Sequence, residues 1–199
     1  MADAVPGWLV PSFGAPKAAH AQLAVARFAD ASTFGRGGFK LSSPAFRDGD
    51  ELDPCFTADE EDAVAPPLEW TAPPPGAHEL VLVVEDPDAG SGQPLVHWLV
   101  WGLPAQKGQL LEGEVPPRVG KNSVGNSEWL LPQPPQEDDA HDYVFQLFAL
   151  DLPLTLMPGA GKDEVFAAIE GHVVAAAIYS GTYARSDESE DWTDEDDFD

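Results

Sequence analysis

Twenty prolines in 199 residues, many of them set in PP, PPP and PQPP runs, leave this chain few places to build a long helix. Proline lacks the amide hydrogen that a helix interior needs, and its ring clashes with the preceding turn. The segments between the prolines are short and apolar. Glu79–Glu85 (ELVLVVE) is a branched run between Pro/Gly-rich stretches, and Val96–Leu103 (VHWLVWGL) and Tyr143–Leu150 (YVFQLFAL) are apolar at both alternating positions. A strand that is apolar on both faces must be covered on both, so these three are expected in the interior of a layered sheet. Phe39–Ser43 alternates and stops at Pro44, and a last strand is expected near Val173–Tyr183. The reading is mainly β: an antiparallel two-sheet sandwich with an N-terminal helix and a short amphipathic helix over Lys162–Gly171.

Three parts divide the chain. A leader, residues 1–37, carries KAAHAQLAVARFAD, which reads as one helix with His20 on its polar face, packing on the body or on a second subunit as in a homodimer. A β domain covers 38–185. In the tail, 186–199, nine of fourteen residues are Asp or Glu with no base, a run that repels itself and is expected to be disordered. Such a tail solubilises the chain or recruits a basic partner.

Charge narrows the function. Thirty-five acids against ten bases give a formal charge of −25, which excludes the usual nucleic-acid binder and disfavours anionic membranes. The single cysteine, Cys55, permits neither an intramolecular disulfide nor a thiolate zinc cluster, and the acids around it disfavour a reactive thiolate. The first base is Lys17, and Pro6 and Pro11 interrupt the opening stretch, so it does not read as a secretory signal. No apolar run is long enough to span a bilayer. A soluble, cytoplasmic protein is the expectation.

Ionisable residues interrupt the apolar strands at particular places. The first run ends in Asp86-Pro87-Asp88, the second has His97 at its second position, and the third is entered through His141 and begins with Tyr143. A nine-residue connection, 87–95, lets the first two strands pair antiparallel, which sets Asp86 near His97. The 37-residue link 104–140 is long enough to bring the third strand to the same end, with His141 and Tyr143 on one of its faces. Two acids, two histidines and a phenol then meet. A carboxylate orients an imidazole and favours its charged form, so the histidines and the phenol make donors for a phosphate or carboxylate, while the acids hold them or accept from an ammonium. That set suits a small zwitterionic head group.

These residues resemble the phosphatidylethanolamine-binding protein family, in its bacterial Raf-kinase-inhibitor-like branch. DPDAGSGQPLVHWLVWGLP at 86–104 is similar to the family's first signature and AHDYVFQLFALD at 140–151 to its second. FKLSSPAF (39–46), APPLEW (65–70), GKNSVGNSEW (120–129) and EGHVVAAAIYSGTYAR (170–185) agree in family order. The resemblance implies a two-sheet antiparallel fold, no cofactor and no metal, and a small anion pocket formed here by Asp86, Asp88, His97, His141 and Tyr143. The chain departs from the pattern at Gly90, where the family has proline, and at Asp142, where it has arginine. Further acids stand at 137–139 and 59–62. Every departure makes the surroundings more negative or the loop looser, which points to a head group of more cationic character or to a weakened pocket.

Two motifs fail on inspection. Gly120–Ser127 spaces its glycines like a phosphate loop but has Asn126 in place of the lysine, and Asp86-x-Asp88-x-Gly90 lacks the twelfth-position glutamate of a calcium loop. The expected function is therefore a non-enzymatic binding protein with a small anion or phospholipid-head-group pocket. The alternative is a protein-interaction regulator of the kinase- or protease-inhibitor type using that pocket. A metal-dependent hydrolase, with two histidines and two aspartates as ligands, comes last.

Overall fold

The computed structural model describes residues 4–185; the acidic run from 186 onward lies outside them. A five-stranded sheet forms the middle layer. Its strands are β3 (Glu79–Asp86), β4 (Leu95–Pro104), β6 (Arg118–Val119), β7 (His141–Leu150) and β8 (Val173–Tyr183), in the order β6-β4-β3-β7-β8, all antiparallel. Against one face packs a small sheet, β1 (Leu41–Ser42), β2 (Leu68–Trp70) and β5 (Gly108–Leu110), in the order β1-β2-β5. The other face is covered by the N-terminal segment and the helix Lys162–Ile169.

The two-faced apolar runs account for this layering. Every residue of β3 is buried, and its alternate side chains serve two cores. Leu80, Leu82 and Val84 join Phe145, Leu147 and Trp98 between the sheets, whereas Val81 and Val83 join Val144, Phe148 and Trp101 beneath the helices. Because β3 lies between β4 and β7, all three interior strands pair directly.

The N-terminal segment differs from the expected single helix. Leu23 is extended, with ψ at 149°, and splits it into a 3-10 turn, Ala18–Gln22, and a short α-helix, α1 (Ala24–Phe28); Lys162–Ile169 is α2. Its apolar groups, Leu9, Phe13, Leu23, Ala24 and Val25, are spent on the core of this same chain. His20 is not on a polar face. It is fully buried, stacked on Phe13 with ring centroids 3.8 Å apart, because its two ring nitrogens are satisfied by the Lys17 backbone N–H and by Asp142. The edge strand β8 is flanked by two isolated parallel bridges, Phe34 to Ala176 and Glu51 to Thr182.

Candidate functional site

The end of β3 carries Asp86, opposite Leu95 at the start of β4, and β7 begins beside it at His141. Tyr143 follows on the face of β7 that looks between the sheets. His97 arrives there by a different route. Val84 pairs with Trp98 but Glu85 with Val96, so His97 is the extra residue of a β-bulge. Simple alternation would set His97 with Leu99 and Trp101 on the helical side; the bulge turns it to the same side as Trp98. Asp86, His97, His141 and Tyr143 then line one hollow of about 280 Å³, closed by Pro134, Pro135 and neighbouring side chains.

Asp86 is the hub of the polar contacts. Its Oδ1 accepts from the Asp88 backbone N–H at 2.7 Å, which fixes the turn after β3, and its Oδ2 bonds His141 Nδ1 at 2.8 Å. On its other side His141 Nε2 faces Asp138 Oδ2 at 3.2 Å. Burial opposes a charge on His141, but the Asp86 and Asp138 carboxylates overcome it and hold the imidazole above its ordinary pKa. Burial likewise raises the Asp86 carboxyl, against the pull of His141. Burial and the negative charge of Asp86 and Asp88 push the Tyr143 phenol up, so its hydroxyl keeps its proton and can donate.

His97 departs from the expected charged donor. Its Nδ1 lies 2.6 Å from the Leu130 carbonyl, which can only accept, so the proton sits on Nδ1. Burial, with the nearby His141 adding to it, lowers its pKa to about 4. The ring is neutral, and Nε2 is a buried acceptor without a partner among the described residues. The imidazole is held edge-on to Tyr143, with centroids 5.1 Å apart.

Asp88 is close by in sequence but does not line the hollow. Its carboxylate points to the helical side, where Oδ2 accepts from Lys17 Nζ at 2.7 Å and from the Asp142 backbone N–H at 2.8 Å. Asp142 also lies on that side, as alternation from His141 requires, and meets His20 Nε2 at 2.8 Å and Lys17 Nζ at 3.2 Å. Where the resembled family has arginine, this chain has an acid matched by a lysine and a histidine from its N-terminal segment. Gly90 has φ +71°, a conformation closed to proline, so the loop after Asp88 takes a path that the family's proline could not.

Asp138 is the site residue that no motif singled out. The only sequence signal was its place in the acidic stretch three residues before His141. The acids at 59–62 contribute nothing to the hollow; Asp59 instead bonds Tyr183 and Arg185. Among the described residues, no group of three or more His, Cys, Asp or Glu side chains is placed to hold a metal ion. No helix among them is long and apolar enough to cross a membrane. His172 at the end of α2 pairs with Asp151 at 2.9 Å.

The family description "Phosphatidylethanolamine-binding protein" matches residues 42–184. The UPF0098 protein of Methanothermobacter thermautotrophicus is 36% identical over 155 residues, covering 73% of this chain and 98% of that one. A Mycobacterium tuberculosis protein with the word lipoprotein in its name, LppC, is 38% identical over 147 residues, covering 72% of this chain and 71% of that protein. The crystal structure of the PEBP homologue CT736 from Chlamydia trachomatis superposes with a TM-score of 0.69 at 32% identity, over 74% of this chain and 98% of the other. Escherichia coli YbcL shares the fold, with a TM-score of 0.68 at 23% identity, over 74% and 99% of the two chains.

Proposed function

We infer that this chain, which belongs to the phosphatidylethanolamine-binding protein family, is a non-enzymatic binding protein whose hollow takes a small zwitterionic head group. The observation that carries the reading is the unpartnered, buried Nε2 of His97 in the wall of that hollow. A neutral imidazole in this tautomer accepts a hydrogen bond, and leaving it unmatched costs about 1–3 kcal/mol that a bound donor recovers. An ammonium supplies the donor and is further attracted by Asp86 and Asp138. The anionic arm of the same head group is met by the Tyr143 hydroxyl and by His141, whose Nε2 becomes free when the half-exposed Asp138 turns outward. The size of the hollow suits a head group rather than a whole lipid.

Calorimetric titration with phosphoethanolamine at pH 6 and pH 8 tests this. Binding is expected to be weaker at pH 8, because the His141 charge fades as pH rises through its elevated pKa, and to be lost in His97→Ala. Absence of binding at both pH values would overturn the reading. A second reading, a regulator that docks a protein partner over the hollow, is favoured by one observation: the exposed apolar side chains Val115 and Val124 stand at its surroundings. A pull-down with and without residues 186–199, at low and high salt, separates a role for the acidic tail from the pocket itself. The cytoplasm is the compartment we propose, supported by the lone Cys55; recovery in a membrane fraction would contradict it.

A further inference from the structure

A cleft of about 600 Å³ lies on the helical side of the five-stranded sheet and shares no residue with the hollow beside His97. Its floor is Asp142 of β7 with Ser180 and Thr182 of β8. Asp142 pairs with Thr182, and Ser180 stands two residues earlier on the same face. The turn carrying Asp48 and Asp50 forms one wall, and Pro11 and Phe13 belong to the other. Residues 11–17 precede the family-matched region, 42–184, so the cleft is built jointly by the family domain and the segment before it.

Two independent observations mark this cleft. Three carboxylates line it against one lysine, and Lys17 is already engaged, 2.7 Å from Asp88 and 3.2 Å from Asp142. Among the described residues, no Lys, Arg or His side chain pairs with Asp48 or Asp50. The second observation is Ser180, which is 6% exposed and whose Oγ has no hydrogen-bond partner among the described residues. Buried hydroxyls are nearly always matched. The unmatched hydroxyl and the unmatched charge sit together, because Asp48 Oδ1 accepts from the Ser180 backbone N–H at 2.7 Å.

We propose that this cleft binds a small alkylguanidinium, its planar fork shared between the Asp48 carboxylate and Ser180 Oγ and its stem against Pro11 and Phe13. A guanidinium holds several N–H donors in one plane, so it reaches a carboxylate and a hydroxyl at once, whereas an ammonium is a compact, strongly hydrated point charge. The excess of acid repels carboxylates and phosphates. A bare metal ion is poorly served, since among the described residues no three His, Cys, Asp or Glu side chains converge. The cleft stands apart from the head-group hollow, and neither reading depends on the other.

Calorimetric titration of the full chain with n-butylguanidinium, n-butylammonium, butyrate and calcium chloride tests the proposal. Butylguanidinium is expected to bind and to weaken at high salt. Butylammonium should bind more weakly, butyrate not at all, and calcium should not displace the guanidinium at equal concentration. Asp48→Asn keeps an acceptor for the Ser180 amide but removes the charge. It is expected to cost at least about tenfold in butylguanidinium affinity, while the phosphoethanolamine titration stays as in the parent. Ser180→Ala is expected to lower affinity about threefold or more, yet to raise the melting temperature of the free protein, because it deletes an unmatched buried hydroxyl. No binding of butylguanidinium, full affinity in either variant, equal binding of butylammonium, binding of butyrate, displacement by calcium, or a destabilised Ser180→Ala protein would overturn the proposal.

Discussion

Lys17 lies outside the family-matched region, 42–184, yet it ties the N-terminal segment to the turn that carries Asp86. Lys17→Met removes the ammonium 2.7 Å from Asp88 and 3.2 Å from Asp142 and keeps most of the apolar stem. Unit charges about 3 Å apart attract by roughly 5 kcal/mol at an effective dielectric constant near 20. The lysine side chain is 38% exposed and each carboxylate 16%, so solvent screening and the ordering of a long side chain take back much of that. A loss of about 1–2 kcal/mol is expected, less than for a fully buried pair. In a chain of this size that corresponds to a melting temperature lower by about 3–6 °C. The assay is thermal unfolding by near-ultraviolet circular dichroism at neutral pH, repeated in 1 M NaCl, where the difference is expected to shrink.

The acid limb provides an independent readout. Burial would raise Asp142, but His20 and Lys17 together hold its carboxyl below the usual range. Its contribution is therefore present above the unfolded carboxylate pKa and is lost as pH falls through the lower folded value. Without Lys17 that folded value climbs, and acid unfolding is expected to begin at higher pH. A melting temperature within 1 °C of the parent together with an unmoved acid limb would refute the latch.

Four further outcomes are expected. Burial pushes His97 down to about 4, below its unfolded value near 6.5, so the unfolded chain binds the extra proton between those values. Stability should therefore fall by about 3 kcal/mol as pH drops through that window, and urea titrations should show a flatter dependence in His97→Gln; an identical slope would count against a neutral buried ring. His141 acts with the opposite sign: its pKa is raised, its contribution is complete below the unfolded value and is lost as pH rises through the folded one, so His141→Gln should flatten the alkaline side of the same titration. A Cβ at Gly120 would lie 2.6 Å from the Ala160 carbonyl oxygen and 2.9 Å from the Trp101 ring, so Gly120→Ala is expected to cost about 1–3 kcal/mol in chemical unfolding. Burial and Asp53 push the Cys55 thiol up to about 11, leaving roughly a thousandth of it ionised at pH 8; iodoacetamide should label it far more slowly than it labels glutathione.

The three central strands were legible because their apolar residues occupy both parities, and only a doubly covered strand tolerates that. The same logic located Asp86, His141 and Tyr143 at one end of the sheet, and it placed Asp142 on the reverse face. His97 reached the hollow for a reason alternation could not supply: the bulge arises from the register between Glu85 and Val96, which depends on partner strands. The charge state of His97 was hidden as well, since it depends on the carbonyl of Leu130, thirty-three residues away. Asp88 read as a pocket residue by position, but Lys17 and the backbone of Asp142 draw its carboxylate to the other side. Helix propensity in the N-terminal segment missed the break at Leu23, whose burial in the core and extended backbone follow from tertiary packing.

The bridges from Phe34 and Glu51 onto β8 have a bearing on self-association. A long, straight outer strand with unpaired amides invites another molecule to add its own strand and continue the ladder, the route by which β-rich proteins polymerise. Here single-residue clasps near both ends occupy amide and carbonyl positions without offering a strand long enough to template a further one. At the opposite border stands β6, only two residues long. A sheet finished in this way resists fibre growth by edge addition, and a second copy of the chain would have to approach through side chains instead of backbone.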